Sequence, residues 1–291
     1  MAKKYVSLVT GSIGQNIDCM KRLILSLQNS VYKFWELIIV LQIIDKQTFI
    51  EKIGSEILSD ERVVIITADK GLSKARNEGL KYASGDVIGF PDDDAWYSSN
   101  FLADVVSVLD DDSDNDIFLF GIFDPIRKKD SFKKWPKKKL KIHNYNFYKY
   151  HNSNMIFIRR RCLSFDLKFD ELLGVGAKYG SSEDVDFISC MLNNKFSIIY
   201  YPYPMVYHPA ISEEKISNTR GYNYGLGVGA FIAKSLRLKI SFSSILSLLQ
   251  PMACLGRLVV FFVIDRDISL YNYYRLKGMF VGFIQYGNEM R

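Results

Sequence analysis

Apolar and polar positions alternate in blocks along the first part of the chain. YVSLVT (5–10), ELIIVLQ (36–42), RVVIIT (62–67) and DVIGF (86–90) are short, nearly continuous apolar runs, the pattern of strands buried on both faces. Between them DCMKRLILSLQNS (18–30), FIEKIGSEIL (49–58) and GLSKARNEGLKYAS (71–84) carry apolar residues at helical spacing, with Asp18 the expected N-cap of the first. The alternation predicts an α/β domain with a mostly parallel sheet, whose ligands sit at the carboxyl ends of the strands.

Further along, PIRKKDSFKKWPKKKLKIHNYNFYKY (125–150) is basic and irregular, and reads as a solvated or mobile loop. NMIFIRRRCL (154–163) reads as a strand, SSEDVDFISCMLNNK (181–195) as a helix capped by Ser181 and Ser182, and FSIIYYP (196–202) as a strand leading into VYHPA. The pattern divides the chain into residues 1–235 and a helical region, 236–291. That region is apolar, but Gln250, Pro251 and Arg257 interrupt it before a run of roughly 20 residues, the length a spanning helix needs. Lys234, Arg237, Lys239, Arg257, Arg266, Arg275 and Lys277 recur beside Tyr271, Tyr273, Tyr274 and Phe280, a mixture suited to an amphipathic anchor lying on a membrane surface. The alternative is a helical pair packed on the larger domain or on a second subunit.

Composition narrows the classes. The 291 residues are 48% hydrophobic, enough for a large core, and the net charge of +6 suits an anionic partner such as a nucleotide or membrane surface while arguing against nucleic acid. Cys19, Cys162, Cys190 and Cys254 are widely spaced, which excludes a zinc motif or disulfide framework. The N-terminus enters a strand directly, without the apolar stretch of a secretory signal, so a cytoplasmic setting is expected.

The candidate chemistry begins at FPDDDAWY (90–97). An apolar strand leads straight into three adjacent carboxylates, which repel one another unless a cation sits among them. Mg²⁺ or Mn²⁺, with its preference for oxygen ligands and substrate phosphates, suits an Asp-x-Asp at a strand end, with Asp94 toward the metal and Asp92 toward the nucleotide. The later run DDDSDND (110–116) reads as solvated loop.

GLSKARNEGLKYASGDVIGFPDDDAW (71–96), FDELLGVGAKYGSSEDVDF (169–187) and VYHP (206–209), in this order, resemble the glycosyltransferase family 2 enzymes, inverting sugar transferases of bacterial polysaccharide type. The resemblance spans roughly residues 5–235. It implies the glycosyltransferase-A fold, a Rossmann-like, mostly parallel mixed sheet flanked by helices, here with a C-terminal helical appendage. It also implies roles for residues. Arg76 and Asp92 belong with the nucleotide, in a set that includes Thr10, Gln42 and Asp93. Asp94 and His208 hold the metal, and Asp184, with Glu183 beside it, supplies the catalytic base. The implied donor is a nucleotide-diphosphate sugar, carrying a hexosyl or deoxyhexosyl group, and the implied acceptor a glycan or lipid-linked glycan in surface polysaccharide synthesis. The implied setting is peripheral, on the inner face of the cell membrane, with a homo-oligomer open.

One departure stands out. Many family members place an acidic residue after the second strand to read the base, whereas Gln42 stands here, an amide that offers both donor and acceptor. Two rival readings remain. VTGSIG (9–14) and the spacing of Tyr145 with Lys149 resemble short-chain dehydrogenases, although the glycine pattern lacks its third member. A membrane-associated, non-catalytic transferase homologue is the other.

Overall fold

A computed structural model of the protein describes residues 3–165, 167–210, 217–238 and 246–289. Nine strands form one sheet: β1 Val6–Ser12, β2 Trp35–Leu41, β3 Val63–Thr67, β4 Val87–Gly89, β5 Ile117–Asp124, β6 Lys129–Asp130, β7 Leu140–Ile142, β8 Ile156–Arg159 and β9 Ile198–Tyr207. Around them lie α1 Ile17–Gln28, α2 Lys46–Ile53, α3 Leu72–Tyr82, α4 Phe101–Asp111 and α5 Glu183–Asn193, followed by α6 Asn218–Leu238, α7 Leu249–Ile264 and α8 Arg266–Glu289. Of the basic tail residues, Lys239 lies outside the described residues.

The strand order is β3-β2-β1-β4-β8-β5-β9-β7, with β6 on β5. β3, β2, β1 and β4 are parallel and so are β5 and β9, while β8 runs antiparallel between β4 and β5. The reversal has a consequence for the site. The segment that enters β8 and the one that leaves β9 both reach the edge where β4 ends, since Gly89 pairs with Phe157 and β9 parallels β5.

The apolar runs are buried as their pattern predicts. β2 buries Leu37 through Leu41, and α1 buries Met20, Leu23, Ile24 and Leu27 at helical spacing. Aromatic side chains, prominent in the sequence, mostly fill the core, where Phe90, Phe169 and Phe187 stack in mutual contact, the last two at 4.1 Å.

Five local expectations change. The run 110–116 is not solvated loop: Asp110 and Asp111 end α4, and Asp112 and Asn115 are buried, with Asn115 Nδ2 donating to Asp112 Oδ1 at 2.7 Å. α1 starts with Asn16 at its N-cap, not Asp18; Asn16 makes no side-chain capping bond, and its Nδ2 donates to Asp93. α2 begins earlier than the 49–58 expectation, where the Asp45 carboxylate accepts from the Thr48 amide at 2.9 Å. Neither Ser181 nor Ser182 caps α5 through its side chain: Ser182 has a left-handed backbone with φ +75°, and the Ser181 hydroxyl donates to the Tyr224 carbonyl on α6. The basic 125–150 segment is ordered, because Trp135 and Phe147 are buried anchors among the lysines and β7 pairs with β9.

α6 runs through position 235 and packs against α8 at backbone distance. Glycines at 221, 225 and 229 of α6 lie against Tyr271, Arg275 and Met279 of α8, Gly225 also meets Gly278, and a Cβ added at Gly225 would lie 2.1 Å from the Arg275 carbonyl oxygen. Gly225→Ala should therefore force the helices apart and cost about 1–3 kcal/mol. Gly287→Ala on α8, where nothing lies within 4 Å, should be neutral or stabilising by up to about 1 kcal/mol, as replacing a helical glycine by alanine is. Thermal melts of the two variants check this, and equal Tm values would show that the pair has room to separate.

Candidate active site

The short strand β4 delivers the chain through Phe90 and Pro91 to the three aspartates, and each is held by a different element. The Asp92 carboxylate accepts from Arg76 Nη2 at 2.9 Å and from Asn154 Nδ2 at 2.6 Å, while its own amide donates to Asn154 Oδ1 at 2.6 Å. Enclosure raises its pKa, and the Arg76 charge opposes the rise. Asp93 accepts from Ser12 Oγ at 3.2 Å and Asn16 Nδ2 at 3.1 Å; burial, opposed by the Asn16 bond and reinforced by its aspartate neighbours, pushes its pKa up to about 6. Asp94 faces His208, with Oδ1 3.0 Å from Nε2.

That last pair is pinned by backbone. Trp96 and Tyr207 exchange two hydrogen bonds of 3.0 Å, which sets Asp94 and His208 opposite each other two and one residues away. Arg22 of α1 lies over the Trp96 ring at 3.6 Å and donates to the Asp94 carbonyl. His208 Nδ1 sits 2.7 Å from the Pro209 carbonyl, an acceptor only, so Nδ1 carries the proton and Nε2 is the atom presented to Asp94. A neutral ring would then aim a lone pair at a carboxylate, which is stable only with a proton or a cation between them. Without a cation the ring answers by protonation: burial lowers its pKa, but the Asp94 bond and charge outweigh burial and the net shift is upward. One ligand atom each from Asp92, Asp94 and His208 lies within 4.8 Å of the others, so the donor set fits a small divalent cation such as Mn²⁺ or Mg²⁺.

Arg76 lies behind the aspartates. It is fully buried, its Nη2 also donates to Ser153 Oγ at 2.6 Å, and its Nη1 lies 3.5 Å from Glu183 Oε1. The guanidinium therefore ties the end of β4 to the start of α5 without reaching the cleft wall.

Asp184 forms the other wall. Its Oδ2 pairs with His151 Nδ1 at 3.1 Å and its Oδ1 accepts from the Val185 amide at 2.7 Å. Burial favours the protonated acid, yet the charge and hydrogen bond of His151 more than offset this and the pKa falls below the usual carboxylate value. Glu183 shifts the other way: burial, reinforced by the adjacent Asp184 charge, raises it to about 7.

All of Asp92, Asp93, Asp94, Glu183, Asp184, His151 and His208 line one cleft of about 970 Å³. Gln42 lines it too, with Oε1 accepting from the Gly71 amide at 2.8 Å, which fixes the entry to α3. Thr10 does not reach the cleft; it is buried within β1, its hydroxyl without a partner among the described residues. Tyr145 and Lys149 line a separate, smaller cavity.

Several cleft groups escape sequence reasoning. His151 and the Asn154 that holds Asp92 belong to HNSN (151–154), a polar tetrad directly ahead of a strand; that position was the available signal, since the antiparallel β8 starts at the ligand edge. Arg220 and Tyr224 of α6 and Arg275 of α8 close the far side, and nothing in their spacing announces it.

The sequence model for glycosyl transferase family 2 matches residues 15–168, just over half of the chain. A search of curated proteins finds no significant relative. Among solved structures, S. aureus TarS residues 1–349 with UDP-GlcNAc aligns at a TM-score of 0.58 and 14% identity, over 99% of this chain and 91% of that one. The mannosyltransferase PcManGT from Pyrobaculum calidifontis, solved with GDP-Man and Mn²⁺, aligns at 0.58 and 12% identity, over 99% and 87%. At such identities the likeness establishes the fold, and it extends through the C-terminal helices. The family match removes the dehydrogenase reading: the chain belongs to glycosyl transferase family 2 and is a glycosyltransferase with the GT-A fold.

Proposed function

We propose that the protein transfers a hexosyl or deoxyhexosyl group, with inversion, from a nucleoside diphosphate to a hydroxyl of a glycan or lipid-linked glycan in bacterial surface polysaccharide synthesis. The observation that carries this reading is the two-sided cleft, with a cation-type donor set on one wall and an ionised, histidine-paired carboxylate on the other. TarS is solved with a UDP-sugar and PcManGT with a GDP-sugar and Mn²⁺, which supports a nucleotide donor and a cation here.

Asp92, Asp94 and His208 would hold the cation, whose charge counters the negative charge that grows on the departing diphosphate. The chain's own groups do the rest. Asp93, tied to Ser12 and Asn16, and Gln42, tied to Gly71, shape the nucleotide side. Asp184 takes the proton of the acceptor hydroxyl as that oxygen bonds to the anomeric carbon and the carbon–diphosphate bond breaks on the opposite face, which inverts the centre. Glu183 is occupied with Arg76 and its pKa near 7 keeps it partly protonated at neutral pH, so Asp184 is the base.

The setting proposed is the cytoplasmic face of the membrane. No helix among the described residues is long and apolar enough to cross a membrane, yet α7 exposes Met252, Val259, Phe262 and Val263, the last at 88%. A surface that apolar is suited to lying in a bilayer interface.

Three outcomes test the site. Calorimetric titration of a nucleoside diphosphate should show strong binding with Mn²⁺ and a marked loss in chelator, with Asp94→Ala weak under both conditions; equal affinity throughout would remove the cation. Asp184→Asn should retain donor binding while turnover at saturating donor drops by roughly 10²- to 10⁴-fold, the usual share of a general base; near-normal turnover refutes the assignment. His151→Asn removes the main influence holding the Asp184 pKa down, so that pKa rises and the acid limb of the rate profile should move to higher pH. An unmoved limb would mean that His151 serves packing alone.

A further inference from the structure

A second cavity, of about 350 Å³, lies between the segment around Tyr145 and Tyr148 and the C-terminal helices. Its character differs from that of the cleft. Leu246, Leu249, Ala253 and the two tyrosines make it largely apolar, and its charged lining residues are Lys149, Arg257 and Arg275, with no acidic side chain among the described residues. Arg275 Nε is buried without a hydrogen-bond partner, and none of the three cations forms a salt bridge among the described residues. Lys149 and Arg257 are exposed and Arg275 is half-buried, so three cations around one small, largely apolar space suit a ligand with more than one negative charge.

Two further features say where such a ligand comes from. Arg275 also lines the catalytic cleft, so the two spaces share this residue. Leu249 lines the cavity and is itself 54% exposed, so the cavity opens directly onto the apolar flank of α7 that carries Met252, Leu255, Val259, Val263 and Ile264. Cleft, cation-lined cavity and exposed apolar helix thus adjoin one another in that order.

We propose that this cavity is an anchor for the acceptor: it takes the phosphate or diphosphate head of a lipid-linked acceptor on Lys149, Arg257 and Arg275, while the exposed flank of α7 lies in the bilayer that carries the lipid tail. The inference rests on the transferase reading and names its acceptor class. The head is held at the boundary of the cleft, so that sugar hydroxyls attached beyond it reach toward Asp184. Lys149 and Arg257 line only this cavity, and they set the affinity for the acceptor without touching the donor.

Flotation of the full chain tests this with phosphatidylcholine vesicles doped with hexadecyl phosphate, against vesicles doped with phosphatidylglycerol to the same surface charge. The protein should prefer hexadecyl phosphate. The double variant Lys149→Gln, Arg257→Gln should lose about 30-fold of that affinity, as expected for two cations near an anionic surface. It should still bind a nucleoside diphosphate with Mn²⁺, which also shows that it is folded. Val263→Asp, at a fully solvated position, should weaken binding to both vesicle types alike. Equal affinity for the two vesicle types, an unaffected double variant, or undiminished vesicle binding by Val263→Asp each overturns the proposal, and efficient displacement by soluble inorganic phosphate would assign the cavity to a free anion instead. If the wild-type protein binds nucleotide but ignores hexadecyl phosphate, this inference alone fails; if it does not bind nucleotide, the transferase reading fails with it.

Discussion

The site depends on one buried charge. Arg76 has no exposed surface, and a guanidinium taken out of water is tolerable only where carboxylates and hydroxyls meet it. Asp92 and Ser153 meet Nη2, and Glu183 approaches Nη1, so three separate segments are drawn to one point. The Phe169 ring, 5.2 Å from the guanidinium, and its stack on Phe90 and Phe187 form an apolar floor beneath. Phe90 precedes the aspartates by two residues and Phe187 follows Asp184 by three. The two acidic stretches, distant in sequence, are therefore held together from below by aromatic packing and from behind by a cation.

This arrangement also separates the roles of two adjacent carboxylates. Glu183 faces inward to Arg76, and its burial beside Asp184 lifts its pKa to about 7. Asp184 faces His151, whose charge keeps it ionised. Neighbouring acids driven apart in this way give one group able to accept a proton across the neutral range and one whose main partner is structural.

Much of the fold was legible because strands buried on both faces write themselves as short apolar runs, as in ELIIVLQ and DVIGF. The aspartates, Glu183, Asp184 and His208 were legible as motifs, and all of them line the cleft. What stayed hidden is tertiary. Arg76 matched the motif, but its burial behind Asp92 follows from how α3 packs, which no local pattern records. His151 came to Asp184 only because β8 runs antiparallel and starts at the ligand edge. Asn16, which no motif singled out, donates to Asp93 from the start of α1. The lysines of 125–150 masked Trp135 and Phe147, which order that segment.

In the C-terminal region α6 and α8 follow the packed-helix alternative. Lys234 of α6 bridges Asp170 and Asp186 at 2.7 and 2.8 Å, Tyr286 of α8 donates to Asp170, and the two helices touch backbone to backbone. A Cβ at Gly227 would lie 2.3 Å from the Ser181 carbonyl, so α6 presses on the turn that presents Glu183 and Asp184. α6 and α8 are thus built into the wall of the cleft, against the turn that carries Glu183 and Asp184. α7 differs: it packs on α8, where Cys254 and Ser269 make hydrogen bonds, but most of its apolar side chains are exposed. One rigid pair completes the enzyme, and the helix between them is left to face something else.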